Sequence, residues 1–266
     1  MTARIAHLSD IHFGTENAEA VAAAAALLAD APPDLTIITG DVTAFGEVTE
    51  FEAAAAWIAG LPGPRLVAPG NHDTPYVGLI DRVVAPFARF SRFFGPADAV
   101  GLEAPGVCVA SVNTARGVQL RLNWSKGEIA ETQASWAIRT LRAAAPGAIR
   151  ILACHHPLAE MIGGPMTARV RGGERAARAF CAGGVDLVLT GHIHAPFAMA
   201  FPHADARTYA IGAGTLSVRE RGAPAGFNLI VVEPDSVEVR ALAWTGSRFD
   251  TWRTWNLERR PAAAIP

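Results

Sequence analysis

Short apolar runs alternate with longer helix-like segments through most of the chain, and this alternation constrains the fold most. The runs have the length and composition of buried strands, and they cover residues 4–9, 35–40, 65–70, 107–113, 149–154 and 185–191. Alanine-rich stretches with helical periodicity separate them, near residues 17–30, 49–60, 79–94, 127–144 and 172–182. Near-continuous apolar strands connected by helices predict an α/β fold with largely parallel sheets covered by helices.

Two of the helical segments begin with a capping-box pattern, in which a hydroxyl residue precedes a glutamate by three positions. The pairs are Thr49 with Glu52 and Ser125 with Glu128. In a capping box, the first side chain accepts a hydrogen bond from the backbone N–H at the third helical position. We therefore expect helices to begin at these two pairs.

The pattern changes after residue 205. Residues 206–258 contain β-rich segments separated by Gly, Pro, Asp and Ser, without an intervening helix. Such a pattern is typical of consecutive antiparallel strands, and we expect them to form part of a second sheet. Half of the 266 residues are hydrophobic, and no linker or internal repeat interrupts the chain. We therefore predict a single domain over residues 1–266.

Composition argues against several classes of partner. The 23 basic and 25 acidic residues give a net charge of −2, so no general attraction to nucleic acid or to an anionic membrane is expected. The three cysteines lie in apolar surroundings without regular spacing, which is typical of reduced core thiols. No apolar leader follows Met1, and we therefore expect a cytoplasmic protein without stable membrane association.

Polar side chains that can bind metal follow five of the six apolar runs. They are Asp10 and His12, Asp41, Asn71 with His72 and Asp73, His155 and His156, and His192 and His194. Ligands of open α/β sheets bind beyond the carboxyl ends of the strands. We therefore expect these side chains to lie close together at that edge of the sheet. Each pattern alone is also typical of an ordinary turn or surface residue. Their coincidence at five strand ends predicts one functional site.

The last of these pairs has a particular spacing. His192 and His194 flank a single isoleucine at the end of an apolar run. In an extended backbone, residues two positions apart project to the same side. We therefore expect both imidazoles to point at one spot.

The number and type of donors predict a dinuclear metal site. The seven candidate ligands are Asp10, His12, Asp41, Asn71, His155, His192 and His194. A single zinc ion takes about four ligands, and seven donors suit two ions held roughly 3.5–4 Å apart by a shared carboxylate. Imidazole, carboxylate and carboxamide without thiolate favour Zn²⁺, Mn²⁺ or Fe²⁺. We therefore predict two divalent metal ions as the cofactor.

Taken in order, the strand-end motifs resemble the signature of the calcineurin-like metallophosphoesterases. The five blocks are DIH from residue 10, GD at 40–41, GNHD at 70–73, HHP at 155–157 and GHIH at 191–194. The resemblance implies a four-layer α/β/β/α sandwich, with two mixed sheets flanked by helices. The stretches LSDIHFG and CHHPL are similar to those of bacterial cyclic-nucleotide and glycerophosphodiester phosphodiesterases.

The resemblance also implies a role for each residue. Asp10, His12 and His194 would bind the first ion, Asn71, His155 and His192 the second, with Asp41 between them. Gly191 would let the backbone approach the cluster. Water activated by the ions would attack phosphorus in line, while His72 stabilises the transition state or protonates the leaving oxygen. The expected activity is hydrolysis of a small-molecule phosphodiester.

We expect smaller roles for several further polar residues. We expect Asp73 to orient a neighbouring histidine, and His156 to be structural because the extended backbone before Pro157 turns it away from His155. His7 is expected in the core, and His203 in a loop outside the site. Asn113 and Arg116 are candidates for substrate binding, because Asn113 ends an apolar run and Arg116 lies just beyond it. The loops 122–126, 166–173 and 217–222, which together contribute arginines, a tryptophan and an asparagine, hold weaker candidates.

Several features allow more than one interpretation. The aromatic segment 86–95 is typical of a helix packed on the core. As an amphipathic cap it would instead contact an acyl chain and indicate a pyrophosphatase acting on a nucleotide-linked lipid. A phosphomonoesterase, a non-catalytic scaffold and a homo-oligomer are also compatible with the sequence. A nuclease is disfavoured, because the chain lacks a basic strip with interleaved aromatic residues.

Overall fold

The apolar runs are strands of two six-stranded sheets. The structure is a computed structural model that describes residues 2–120, 123–158, 170–202 and 206–260. In chain order the strands are β1 (Ala3–Leu8), β2 (Leu35–Thr39), β3 (Arg65–Ala68), β4 (Val100–Ala104), β5 (Val107–Ser111), β6 (Ile149–Ala153), β7 (Leu187–Thr190), β8 (Phe197–Ala200), β9 (Tyr209–Gly212), β10 (Gly226–Val232), β11 (Ser236–Trp244) and β12 (Phe249–Glu258). The helices are α1 (Ala18–Asp30), α2 (Val48–Ala59), α3 (Leu79–Val84), α4 (Ala88–Phe94), α5 (Glu131–Arg142) and α6 (Gly173–Ala182).

Both sheets are mixed. The first has the order β12-β11-β10-β1-β2-β3, and the second β4-β5-β6-β7-β9-β8. Strands β1, β2 and β3 are parallel, as are β5, β6, β7 and β9, and the remaining pairs are antiparallel. The C-terminal segment is thus divided between the sheets. The prediction that it belongs to a second sheet is wrong for β10, β11 and β12, because β10 pairs with β1 and extends the first sheet.

Three apolar cores separate four layers. Residues from both sheets, among them Ile5, Ile37, Val109 and Ile151, form the core between the sheets. Helices α1, α2 and α4 cover the outer face of the first sheet, and α5 and α6 cover that of the second. Because each sheet buries one face against helices and the other against its partner, the predicted four-layer α/β/β/α sandwich is confirmed.

The predicted capping boxes are displaced from the true helix starts. Helix α2 begins at Val48, and the backbone N–H of its N-cap residue Glu47 donates to Glu50 Oε2 at 3.1 Å. Helix α5 begins only at Glu131, where Gln133 Oε1 accepts from the backbone N–H of Ala130 at 2.9 Å. Acidic and amide side chains at the third helical position therefore cap both helices from within.

The aromatic segment 86–95 packs on the core. Phe90 is fully buried, and the ring of Phe93 stacks on that of Phe51 in α2 with centroids 5.8 Å apart. The single helical segment predicted over 79–94 is interrupted, since Pro86 disfavours a helical conformation at Ala85. Helix α4 is thus a core helix, while α3 lies outside the core. Among the described residues, no helix is long and apolar enough to cross a membrane.

Candidate metal centre

The predicted donors meet where the loops after β1, β2 and β3 face those after β6 and β7. Asp10, His12, Asp41, His155, His192 and His194 fall, together with His72 and His156, into overlapping groups of three, and within each group the ligand atoms lie no more than 4.8 Å apart. Asn71 is joined to them through its neighbour His72, whose backbone N–H donates to Asp41 Oδ1 at 2.7 Å. All seven donor residues are buried. The structure therefore brings together side chains from five loops that are distant in sequence.

Two groups of donors surround Asp41. On one side, His194 Nε2 lies 3.1 Å from Asp10 Oδ1 and 3.3 Å from His12 Nε2. On the other side, His155 Nε2 lies 3.2 Å from Asp41 Oδ2. The same Asp41 oxygen is 3.9 Å from His12 Nε2. One carboxylate oxygen is therefore within reach of both groups, which is the arrangement that two ions sharing a ligand require.

Backbone carbonyls orient three of the histidines. His12 Nδ1 contacts Thr43 O at 3.2 Å, His155 Nδ1 contacts Thr39 O at 2.8 Å, and His194 Nδ1 contacts Arg219 O at 2.6 Å. A carbonyl only accepts, so in each ring Nδ1 is the donor, and Nε2 of the neutral ring presents its lone pair. A hydrogen bond from the ring nitrogen that does not bind the metal usually orients a metal-binding histidine.

The donor atoms fit metal ions. The Nε2 lone pairs of His12 and His194 face each other at 3.3 Å, which is unfavourable unless a proton or a cation lies between them. Two nitrogens that bind one ion at about 2.1 Å, with an angle of about 90–109°, lie roughly 3.0–3.4 Å apart. Asn71 Oδ1 is buried without a hydrogen bond in the described chain, and the buried Asp10 Oδ1 and His155 Nε2 face His194 Nε2 and Asp41 Oδ2 at 3.1 and 3.2 Å. Such atoms are costly to bury unless they have a partner.

The backbone of the cluster is strained. Five of the seven donors have a left-handed φ: Asp10 at 53°, His12 at 53°, Asp41 at 51°, His192 at 68° and His194 at 61°. Non-glycine residues in this region cost on the order of 1–3 kcal/mol each and concentrate at functional sites. The extended backbone that the spacing of His192 and His194 suggested is therefore wrong. Their side chains reach the cluster from left-handed turns.

Two glycines allow this close approach. A Cβ on Gly191 would overlap the side chains of Ser9 and Asp10, and a Cβ on Gly70 would overlap Asp41. The role predicted for Gly191 is thus confirmed, since only glycine places backbone this near a carboxylate.

Charge in the cluster is concentrated on the carboxylates and His155. Burial would raise the pKa of Asp10 and that of Asp41, but contacts with His194 and His155, respectively, hold both pKa values well below the usual range. Burial likewise opposes a charge on His155, yet Asp41 raises its pKa to about 9. Burial lowers the pKa of His12 and that of His192 to about 3, so these rings are neutral and present lone pairs at neutral pH.

Asp73 does not orient a histidine, contrary to the prediction. Its Oδ1 accepts from the backbone N–H of Thr43 at 2.9 Å and from Thr43 Oγ1 at 2.8 Å, and its Oδ2 accepts from the N–H of Gly70 at 2.8 Å. Burial and the nearby Asp41 raise the pKa of Asp73 to about 6. This carboxyl therefore ties together the two loops that carry Asp41 and Asn71.

The remaining histidines have partners outside the cluster. Both ring nitrogens of His156 are engaged, with Thr114 Oγ1 at 2.9 Å and Ser125 O at 2.8 Å, which supports a structural role. Its ring is not turned away from His155 as expected, because the two centroids are 4.8 Å apart. His7 contacts Thr39 and Asn228 in the core, as predicted. His203 lies outside the described residues.

His72 occupies a different position from the buried donors. It is half-buried, and its Nδ1 donates to Ala44 O at 2.7 Å. Its ring meets that of His12 edge-on with centroids 4.8 Å apart. Arg219 Nη1 is 3.4 Å from His72 Nε2. The Nε2 atom of His72 therefore lies at the rim of the cluster, beside a cationic group.

The candidate substrate residues Asn113 and Arg116 form a separate network. Asn113 Oδ1 accepts from the N–H of Ala115 at 2.8 Å, and Arg116 donates to Asn113 O and to Gln133 Oε1 at 2.9 and 3.1 Å. These bonds hold a loop, and no described contact joins them to the seven donors. Arginines of the loop 217–222 lie closer. Besides Arg219, Arg221 Nη1 donates to His192 O at 3.3 Å.

A cavity of about 410 Å³ opens beside the cluster. It is lined by Asn71, His72, Tyr76, Leu79, Arg82 and Trp124. No carboxylate is among its described lining residues. A larger cavity of about 690 Å³ near Lys126 and Arg175 contains none of the seven donors. The smaller cavity is therefore the one that adjoins the candidate chemistry.

Solved structures share the fold. A purple acid phosphatase from seeds of yellow lupin (Lupinus luteus) superposes with a TM-score of 0.72 at 11% identity, over 97% of this chain and 54% of that chain. A dimetal phosphatase from Danio rerio has a TM-score of 0.72 at 10% identity, over 97% of this chain and 99% of that chain. GAP50, described as the anchor in the inner membrane complex of Plasmodium, has a TM-score of 0.63 at 12% identity, over 100% of this chain and 95% of that chain.

These likenesses concern the fold alone, and the chain spans about half the length of the lupin protein. No curated protein sequence matches the chain. A sequence model of the family described as calcineurin-like phosphoesterase matches residues 3–196, which include every donor of the cluster. Because this match covers well over half of the chain, the protein belongs to the calcineurin-like phosphoesterase family.

Proposed function

We propose that the protein is a dinuclear metal-dependent phosphodiesterase. The family indicates a metal-dependent phosphoester hydrolase, and the buried histidine and aspartate groups fit a dinuclear centre. The observation that carries the hydrolase function is the convergence of seven buried donors, among which Asn71 Oδ1 has no hydrogen bond and Asp10 Oδ1 and His155 Nε2 face only other donors of the cluster. A protein that used this fold only as a scaffold would have no need to bury them.

The proposed ligand sets follow the family resemblance, and the contacts among Asp10, His12, His194, Asp41 and His155 support them. Asp10, His12 and His194 would hold one ion, and Asn71, His155 and His192 the other, with Asp41 shared. When bound, two divalent ions supply Lewis acidity for phosphoryl oxygens and lower the pKa of water. The donor types suit Zn²⁺, Mn²⁺ or Fe²⁺. The carbonyls of Thr39, Thr43 and Arg219 keep the imidazoles in the tautomer that can bind metal.

His72 is proposed as the catalytic residue at the rim. Because Nδ1–H is held by Ala44 O, Nε2 is the nitrogen that faces the rim, and in the imidazolium form its N–H can donate to a phosphate oxygen or deliver a proton to the leaving oxygen. Arg219 Nη1, 3.4 Å away, adds positive charge where the phosphoryl group develops negative charge.

The diester preference rests on the cavity beside His72. A phosphodiester has two ester groups, and the cavity of about 410 Å³ provides room for the second one. The resemblance of LSDIHFG and CHHPL supports a substrate of the cyclic-nucleotide or glycerophosphodiester type. Buried thiols such as Cys108 and Cys154 are typical of a reducing compartment, and we propose that the enzyme acts on a small-molecule substrate in the cytoplasm.

A phosphomonoesterase is the second candidate, because the lupin and zebrafish neighbours are both described as phosphatases. The full-length protein would be stripped with a chelator, reloaded with Mn²⁺ or Zn²⁺, and assayed on bis(p-nitrophenyl) phosphate and p-nitrophenyl phosphate. We expect a kcat/KM at least about tenfold higher for the diester, and we expect Asp41→Asn to remove both activities. A higher kcat/KM for the monoester would favour the second candidate.

A further inference from the structure

Helix α3 exposes all of its residues except Arg82, including four aliphatic ones. Leu79, Ile80, Val83 and Val84 are 65%, 78%, 58% and 77% exposed, whereas Arg82 is only 9% exposed. A surface helix usually turns its aliphatic side chains to the core and its charges to solvent. Adjacent exposed aliphatic residues commonly mark a binding surface.

Arg82 holds this helix against the cavity. Its Nε donates to Gly117 O at 2.8 Å and its Nη1 to Pro75 O at 3.1 Å. Its guanidinium carbon lies 5.5 Å from the centre of the Trp124 ring. Among the described residues, no carboxylate forms an ion pair with Arg82. The buried cation therefore anchors α3 and occupies one face of Trp124, which makes this ring a wall of the cavity.

The apolar side of α3 is continuous with the candidate site. Leu79 lines the same cavity as Asn71 and His72, and Tyr76 and Trp124 complete this wall. Val83 is four positions after Leu79 and shares its helix face. The aliphatic surface thus begins beside the catalytic histidine and extends out of the cavity along the helix.

We infer that this wall is a subsite for an aliphatic ester group, so that the substrate is a phosphodiester bearing an alkyl or acyl chain. The inference rests on the proposed phosphodiesterase function. An aliphatic group is favoured over a stacked nucleobase, because Arg82 covers one face of Trp124 and the exposed side chains that continue the wall are aliphatic. Burial of each methylene against this wall contributes to binding of the substrate.

The test compares methyl, butyl and hexyl p-nitrophenyl phosphate, each below its critical micelle concentration, with the full-length metal-loaded protein. We expect kcat/KM to rise about twofold per added methylene, since complete burial of a methylene corresponds to about fourfold. Equal kcat/KM values across the series would overturn the subsite and leave the phosphodiesterase function standing. Failure to hydrolyse any member would overturn both.

Variants of α3 test whether the preference for longer alkyl groups depends on Leu79 and Val83. Leu79→Gln and Val83→Gln should each lower the ratio of hexyl to methyl kcat/KM at least about threefold, by removing aliphatic surface. Val84→Gln is the matched control, because Val84 is equally aliphatic and exposed but is five positions from Leu79, on another side of the helix. An equal loss in Val84→Gln would overturn the subsite.

Two further measurements distinguish a substrate subsite from a subunit contact and from a surface that packs against the chain itself. Light scattering would overturn it if the wild type were a dimer and Leu79→Gln a monomer, because the face would then be a subunit contact. Thermal melting would overturn it if Leu79→Gln unfolded at a clearly lower temperature than Val84→Gln, because Leu79 would then be packed against the chain itself. We expect one oligomeric state and closely similar melting temperatures for all variants.

Discussion

Two regions that border the same cavity are built in opposite ways. On one side, seven polar donors are buried, and five of them have left-handed backbone conformations that neighbouring loops enforce. On the other side, the short helix α3 exposes four aliphatic residues and buries an arginine. The buried donors combine a strained backbone with buried charge, whereas α3 has apolar side chains in contact with solvent. Both arrangements lower stability.

The contrast indicates what each side is for. Strained backbone and buried atoms without hydrogen bonds persist where chemistry requires them. Exposed aliphatic residues persist where a ligand covers them. The neighbouring helix α4 is the internal reference, because its Phe90 is fully buried and contributes to the core. The difference between α3 and α4 shows that hydrophobicity alone does not decide whether a helix is exposed or packed in the core.

The largest expected effect comes from the metal cluster. Replacing His155 with Ala should lower kcat at least about 10³-fold, because the loss of its Nε2 beside Asp41 removes a donor of the second ion. Metal content measured by mass spectrometry should fall from two ions per chain toward one. His7→Gln, which changes a buried histidine outside the cluster, is the matched control. Full metal content and normal turnover in His155→Ala would contradict the assignment.

His72 should separate catalysis from metal binding. His72→Ala is expected to lower kcat about 10²–10³-fold, as for the loss of a general acid or phosphate-stabilising group, while both ions are retained. Parallel kinetics and metal analysis check this. A loss of metal in this variant would mean that His72 is a ligand rather than a catalytic residue.

The two helices should differ in stability when truncated. Phe90→Ala is expected to lower the free energy of unfolding by about 3–5 kcal/mol, because it leaves a cavity in the core. Val84→Ala, in exposed α3, should change it by less than about 0.5 kcal/mol. Urea unfolding of the metal-free proteins measures both values. Equal losses would remove the distinction between the core helix α4 and the exposed helix α3.

Proton linkage at the metal cluster is the smallest expected effect. The pKa of His155 is raised to about 9 by Asp41, so the metal-free protein carries a proton there at neutral pH. A metal ion requires the neutral ring, and its affinity should therefore rise with pH, about tenfold per unit, and level off above about pH 9. Calorimetry in two buffers of different ionisation enthalpy would detect the released proton. Metal binding without proton release at pH 7 would contradict this.

Much of the site was predictable from local patterns. The polar residues that follow β1, β2, β3, β6 and β7 were recognisable because each directly ends an apolar run. Parallel strands bring such ends to one edge of a sheet. The interruption between α3 and α4 was also visible at Pro86, although the periodicity suggested one helix. The arginines near the cluster were not distinguishable, because Arg116, Arg219 and Arg221 all occupy similar polar loops.

The sequence by itself determined which side chains are chemically able to bind metal, where the strands and most helices lie, and that the candidate ligands follow the ends of strands. These properties depend on residue type and on periodicity over a few positions. Only the tertiary structure decided that β10 extends the first sheet, that Arg219 rather than Arg116 approaches the cluster, and that α3 is exposed while α4 is buried. Each of these depends on which sheet edge or surface is left available by distant segments, and short-range patterns contain no information about that.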